Sequence, residues 1–206
     1  MIGELEYVLG YDVPRETVER LSEYVALLVA ESGKQNLIAR STLPDIWFRH
    51  IADSAQLIPL AEAGKSWADI GSGAGLPGMV VAILTGDPMT LIEPRKLRAD
   101  FLSRAADELR LTTVRVTARK VEATDGKYDV ISARAVAPAA DLLRISQHLT
   151  HKETRFLLMK GRSAQTELEQ VRRAWHGSFN LIASRTDEEA AILVAEHVRR
   201  RGGDRK

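Results

Sequence analysis

Residues 66–78 read Ser-Trp-Ala-Asp-Ile-Gly-Ser-Gly-Ala-Gly-Leu-Pro-Gly. A short apolar run closes on an acid, Asp69, and four glycines follow at positions 71, 73, 75 and 78. A strand that breaks into such a turn lets the backbone approach a ligand where a Cβ would clash. A helix that starts directly after the turn aims its free N–H groups at the same place. Pro77 suits the first helical turn, where a missing N–H costs nothing. The stretch therefore predicts a nucleotide-type cofactor loop between a first strand and a first helix.

The spacing alone fits two cofactors. Gly73, Gly75 and Gly78 satisfy G-x-G-x-x-G, the dinucleotide pattern. Asp69, Gly71, Gly73 and Gly75 satisfy the acid-x-G-x-G-x-G pattern of enzymes that use S-adenosylmethionine. A glycine-rich turn without any ligand is the plain alternative.

The rest of the chain supplies an α/β context. Residues 14–31 carry Val18, Leu21, Val25, Leu28 and Val29 at helical spacing, and Ser32-Gly33-Lys34 is expected to break that helix. A second helix is expected from Pro44 to about Leu60. β-rich runs at 89–93, 113–117, 128–133 and 155–160 then alternate with helical patterns at 76–85, 95–109, 137–149 and 164–175, which predicts a parallel sheet with helices on both faces. The runs 179–183 and 190–195 are joined only by a polar turn, a link too short for a parallel crossover, so an antiparallel hairpin should close the sheet.

In such a sheet ligands bind at the carboxyl ends of the strands. Glu93 ends the second strand and stands 22 residues beyond Gly71, the separation of an acid that accepts hydrogen bonds from ribose hydroxyls. It indicates a nucleoside without choosing between cofactors. The third strand leads to Ala118-Arg119-Lys120-Val121-Glu122, where one residue is expected to meet an adenine edge. The fourth ends at Arg134. An arginine is always charged and shuttles no proton, yet it holds a carboxylate or phosphate in a fork of donors. That favours orientation of a cofactor or an RNA backbone over hydride transfer.

Charge is unevenly spread behind a net +1. Residues 1–31 hold seven acids against Arg15 and Arg20, residues 95–120 hold eight basic side chains, and Arg199, Arg200, Arg201, Arg205 and Lys206 close the chain. Basic patches of this kind suit phosphate contacts. The absence of cysteine excludes disulfides and thiolate chemistry. His148 and His151 have no companions that would make a metal site, and His50 is expected to be a buried, hydrogen-bonded histidine. No apolar run reaches the length of a membrane span, and a cytoplasmic, monomeric protein is expected.

Beyond the glycine loop, the elements Arg49-His50-Ile51-Ala52-Asp53-Ser54, Asp69–Gly78, Val121-Glu122, Ile131-Ser132-Ala133-Arg134-Ala135 and Lys160-Gly161 occur in one order. Together they resemble the bacterial ribosomal RNA small-subunit methyltransferase G family, formerly glucose-inhibited division protein B. Val136 departs from that family's usual phenylalanine. The resemblance implies a Rossmann-like class I methyltransferase with a mostly parallel seven-stranded sheet, a C-terminal antiparallel hairpin and an N-terminal helical extension. It implies an extension over residues 1–63, a methyltransferase domain over 64–198, and a basic, disordered tail over 199–206. The implied reaction is transfer of a methyl group from S-adenosylmethionine to N7 of one guanine in 16S ribosomal RNA, within the small subunit. Carried over to this sequence, Gly71, Leu76, Val121, Glu122 and Arg134 should contact the cofactor. The fold argument adds Asp69, Gly73 and Glu93. Arg134, assisted by Lys160, is the candidate catalytic pair, and Arg49 a candidate RNA contact. A nicotinamide-dependent oxidoreductase and a non-catalytic RNA-binding assembly factor are the competing readings.

Overall fold

A computed structural model describes residues 2–202 of the chain. Seven strands form one sheet in the order β3-β2-β1-β4-β5-β7-β6. These are β1 (Trp67–Ile70), β2 (Met89–Ile92), β3 (Val114–Thr117), β4 (Tyr128–Arg134), β5 (Thr150–Lys160), β6 (Trp175–Ala183) and β7 (Ala191–Arg200). Strands β1 to β5 run parallel, and β7 pairs antiparallel with both β5 and β6. The central strands β1 and β2 are buried at every position, as expected of parallel strands covered on both faces. The order reverses between β1 and β4, which opens a crevice beyond their carboxyl ends.

Helices α4 (Gly78–Thr85), α5 (Lys96–Glu108), α6 (Ala139–Ser146) and α7 (Ala164–Ala174) cover the sheet. The N-terminal segment adds α1 (Ile2–Leu9), α2 (Arg15–Gln35) and a single turn, α3 (Asp53–Ala55). Its apolar side chains Leu5, Leu21, Tyr24, Leu28 and Ile51 are fully buried in the same core cluster as Met79 and Leu91.

Several expected boundaries move. Helix α2 runs through Ser32-Gly33-Lys34 and ends at Asn36, whose φ of 44° places it in the left-handed region. Glu31 anchors that last stretch: Gln35, Lys34 and Arg104 all donate to its carboxylate. Val29, expected on the buried face, is 43% exposed, while Tyr24, absent from the expected stripe, is completely buried. The single helix expected from Pro44 to Leu60 is instead a chain of short turns. A 3-10 turn spans Arg40–Asp45, a π-helical stretch spans Trp47–Ala52, and α3 follows. Such π segments occur often at functional sites. Helix α1 has too short a pattern to be read from sequence. Within the basic, disordered tail expected over 199–206, Arg199 and Arg200 are strand residues that pair with His176 and Trp175 across the β6–β7 hairpin. Arg205 and Lys206 lie outside the described residues.

Candidate functional site

The glycine loop turns on contacts from three elements. The N–H groups of Gly71 and Ser72 donate to the carbonyl of Ile92, tying the loop to β2. Gly75 has a φ of 92°, and a Cβ there would lie 2.6 Å from Met79 Cγ and 2.7 Å from Tyr24 Oη. The Tyr24 hydroxyl donates to the carbonyl of Ala74 at 2.6 Å, so α2 of the N-terminal extension clamps the loop from outside the α/β domain. Burial drives the Tyr24 phenol far above its ordinary range, and it acts only as a donor. Gly78 opens α4 against the sheet. A Cβ at that position would meet Leu91 Cδ2 at 2.4 Å and Asp69 Cβ at 2.8 Å.

Asp69 lies beneath this loop. The register of β1 against β4 sets it beside Ser132, whose hydroxyl donates to Asp69 Oδ1 at 2.8 Å. The second oxygen, Oδ2, is buried without a hydrogen-bond partner. Burial pushes its carboxyl up to about 6, and the Ser132 hydrogen bond opposes that rise. Asp69 is fully buried and reaches no cavity wall.

Two cavities open beyond the strand ends. The first, about 320 Å³, is walled by Gly71, Ile92, Glu93, Val121 and Glu122. Glu93 is 3% exposed. Its Oε2 accepts the Gly73 N–H at 2.9 Å, and its Oε1 accepts the Arg95 N–H at 2.8 Å. These bonds fix the carboxylate at the rim of the glycine loop. Val121 and Glu122 belong to a short turn, Val121–Ala123, that His148 pins: its Nε2 lies 3.1 Å from the Val121 carbonyl and 3.0 Å from that of Thr124. Arg95, Arg98 and Lys120 stand around the mouth. Apolar walls, a fixed buried carboxylate and a Cβ-free loop fit the adenosine portion of S-adenosylmethionine, and the volume falls in the range of ordinary ligand pockets. Leu76, only 4% exposed, packs into the core and does not line the cavity; Gly73 touches it through Glu93.

The second cavity, about 460 Å³, gathers residues from distant parts of the chain. Arg49 and Asp53 come from the irregular N-terminal segment, Arg134 from the end of β4, Lys160 from the end of β5, and Thr186 and Asp187 from the β6–β7 turn. Arg134 Nη1 lies 3.1 Å from Asp53 Oδ2, with both side chains mostly buried. Asp53 Oδ1 accepts the Thr186 hydroxyl at 2.6 Å and the Gln56 amide at 2.8 Å. Asp53 is the counter-ion of Arg134. Lys160 Nζ donates to the carbonyl of Ala137 at 2.7 Å and pairs with Glu167 Oε2 at 2.9 Å. Its charge is thus compensated, and it holds the segment that follows Arg134. Burial opposes ionisation of Glu167, but hydrogen bonds from Ser163, Lys160 and the Ala139 N–H outweigh it and keep that carboxyl below its usual value.

His50 borders this region in a neutral state. Its Nε2 lies 2.8 Å from the Thr42 hydroxyl, but Nδ1 is buried without a partner, so the expected satisfied histidine is satisfied at one nitrogen only. Burial, then the charges of Arg134 and Arg49, lower its pKa to about 4. Trp67 and Trp175 are core side chains.

Ala135 and Val136 line both cavities. Ala135 takes a φ of 53°, and Val136 Cγ2 comes to 2.7 Å from where a Cβ on Gly71 would sit. The partition between the two spaces is therefore two residues thick and directly follows Arg134. Among the described residues no group of three or more His, Cys, Asp or Glu side chains is placed to hold a metal, and no helix is long and apolar enough to cross a membrane.

Sheet order, glycine loop and strand-end acid define a class I S-adenosylmethionine-dependent methyltransferase. Solved structures agree on the fold. The ribosomal protein L11 methylase of Lactobacillus delbrueckii subsp. bulgaricus superposes with a TM-score of 0.60 at 14% identity, covering 72% of this chain and 78% of that one. A SAM-dependent methyltransferase from Aquifex aeolicus gives 0.59 at 11% identity, covering 74% and 92%. The chain belongs to the GidB family, rRNA small subunit methyltransferase G, whose model matches residues 17–188. The ribosomal RNA small subunit methyltransferase G of Zymomonas mobilis subsp. mobilis is 46% identical over 196 residues, 90% of this chain and 88% of that relative. The protein is thus an S-adenosylmethionine-dependent ribosomal RNA methyltransferase.

Proposed function

We propose that this protein methylates N7 of the guanine 527 type position in 16S ribosomal RNA, acting in the cytoplasm on the small ribosomal subunit. The carrying observation is the pair of adjoining cavities, one with a fixed carboxylate for a nucleoside cofactor and one beyond a two-residue partition with room for a base. S-adenosylmethionine supplies an electrophilic methyl group when bound. Glu93 holds the ribose hydroxyls, Val121 and Glu122 border the adenine, and the Asp69–Ser132 contact supports the loop from below. Gly71 lets Val136 close against the loop.

Guanine N7 carries a free lone pair, so no proton leaves before attack and no general base is required. Two of the carboxylates in the second cavity, Asp53 and Glu167, already have all their oxygens engaged by the protein's own groups. The remaining task is alignment, and well-oriented proximity supplies ~7–11 kcal/mol of barrier reduction. Arg134 orients the base through the guanidinium donors that Asp53 leaves free. Lys160 acts by holding residues 135–138 in place. Arg49 is exposed and contacts an RNA phosphate.

The test is transfer of tritiated methyl groups to small subunits that lack the modification, followed by mapping of the labelled base, in parallel with calorimetry for S-adenosylhomocysteine. Wild-type protein should label one guanine at N7. Glu93→Gln should weaken S-adenosylhomocysteine binding about tenfold or more, because it loses a charge-assisted acceptor. Arg134→Ala should lower methyl transfer far more than cofactor affinity. Label at another atom, or NAD binding in place of S-adenosylhomocysteine, would remove the proposal.

A further inference from the structure

Three carboxylates line the larger cavity, and only one of them has an oxygen without a partner. Asp53 gives both oxygens to Arg134, Thr186 and Gln56. Glu167 gives both to Lys160, Ser163 and the Ala139 N–H. Asp187 is different. Its Oδ1 accepts the N–H of Glu189 at 3.0 Å, and Oδ2 has no partner among the described residues. That hydrogen bond and the one from the Ala190 N–H to the Asp187 carbonyl fix the turn, so the free oxygen is presented from a held backbone.

We propose that Asp187 reads the base: its carboxylate accepts from N1–H and the N2 amino group of the target guanine. This deepens the function proposed above and rests on it. The placement follows from the shape of the purine. N7 and O6 share one edge, while N1–H and the N2 amino group lie on the others. N7 must face the partition at Ala135 and Val136, beyond which the cofactor cavity lies. The donor edge then points away from the partition, into the cavity that Asp187 of the β6–β7 turn lines. Arg134, the residue before the partition, complements this. Its Nη1 is engaged by Asp53, and its remaining N–H groups suit the O6 acceptor. Adenine fails on both counts: it offers an amino group to Arg134 and a lone pair to Asp187. A site built on paired donors and acceptors rejects such an analogue strongly, because its own polar groups are left unpaired.

The experiment compares kcat/KM on small subunits whose target position carries guanosine or inosine, which lacks only the N2 amino group. Wild-type enzyme should favour guanosine by about tenfold or more. Asp187→Ala should bring the two substrates within about twofold while binding S-adenosylhomocysteine as wild type does; Asp187→Asn, with one acceptor left, should fall between. An altered fold would not erase discrimination at one amino group while sparing cofactor binding. An unchanged preference for guanosine in either variant overturns the assignment, as does a wild-type enzyme indifferent to inosine. So does complete loss of turnover in both variants with cofactor binding intact, since loss of a base-edge contact leaves a measurable rate. A wild-type enzyme that methylates neither substrate counts against the proposed reaction itself and not against Asp187 alone.

Discussion

The two cavities are built in opposite ways. The cofactor cavity rests on one strand–turn–helix unit, with Glu93 brought in by the neighbouring strand and paired to the Gly73 N–H. Its glycine loop and fixed acid lie within 23 residues of one another, from Gly71 to Glu93, and Val121, Glu122 and Val136 complete its wall. The larger cavity draws on residues from 49 to 192, and four of its charges are locked in pairs that join separate elements: Arg134 to Asp53, Lys160 to Glu167. A site made from local geometry is written as glycines and spacing. A site made by convergence carries no local pattern, and each of its side chains depends on a partner far away in sequence.

This contrast can be broken at three points, and the largest effect belongs to the loop. Gly75→Ala would place a Cβ 2.6 Å from Met79 and 2.7 Å from Tyr24 at a φ of 92°. Overpacking costs about 1–3 kcal/mol, and left-handed strain adds about 1–3 kcal/mol. Thermal denaturation should show a loss of several degrees or more, with cofactor binding lost in parallel. A stable variant that still binds S-adenosylhomocysteine would show that α2 does not clamp the loop.

The second effect sits in the converging site. Asp53→Asn keeps the Thr186 contact but removes the counter-ion of Arg134. Breaking a mostly buried pair is expected to cost about 1–3 kcal/mol, less than complete removal of a partner would. Methyl transfer should fall about tenfold or more, while the Kd for S-adenosylhomocysteine stays within about threefold. If cofactor affinity falls equally, the two cavities are one energetic unit.

The smallest effect is a pH dependence that links them. His50 is depressed to about 4 from an ordinary 6.5, so the unfolded chain takes up a proton before the folded one, and stability falls as pH drops from 6.5 toward 4. Asp69 is raised to about 6 from 3.8, so the folded chain takes up its proton first, and stability rises as pH drops from 6 toward 3.8. The two trends oppose each other over about pH 4–6. His50→Gln should remove only the first. Chemical denaturation at pH 5 should then show a gain of about 1 kcal/mol over wild type, allowing for the partial exposure of His50, with less change at pH 8. A loss of equal size at both pH values would assign His50 a packing role instead.

Particular residues show where the sequence was legible. The alternation of strands and helices, the antiparallel end of the sheet, and the placement of Gly71 and Glu93 at one cavity follow from periodicity and strand-end logic; Val121 and Glu122, which line the same cavity, follow from the family resemblance. Boundaries were less legible where tertiary contacts overrode local signals. Gly33 looked like a stop, yet α2 continues because Glu31 is gripped by Arg104 from α5. Tyr24 looked like an ordinary helical residue, yet its hydroxyl closes the glycine loop 50 positions later. Asp53 carries no local sign of its role, yet it balances Arg134 across 81 positions. Leu76 and Asp69, expected at the cofactor, support the loop from within the core.

By itself the sequence determined that a glycine loop would sit at a strand end with an acid beside it, since backbone freedom and hydrophobic period act over a few residues. Glycine spacing could not decide what faces that loop, which of three carboxylates stays free, or which cation keeps its donors. Those outcomes belong to the tertiary structure. A charge in a partly buried cavity is available only if no partner reaches it, and the partners arrive from helices and turns that meet only in the folded chain.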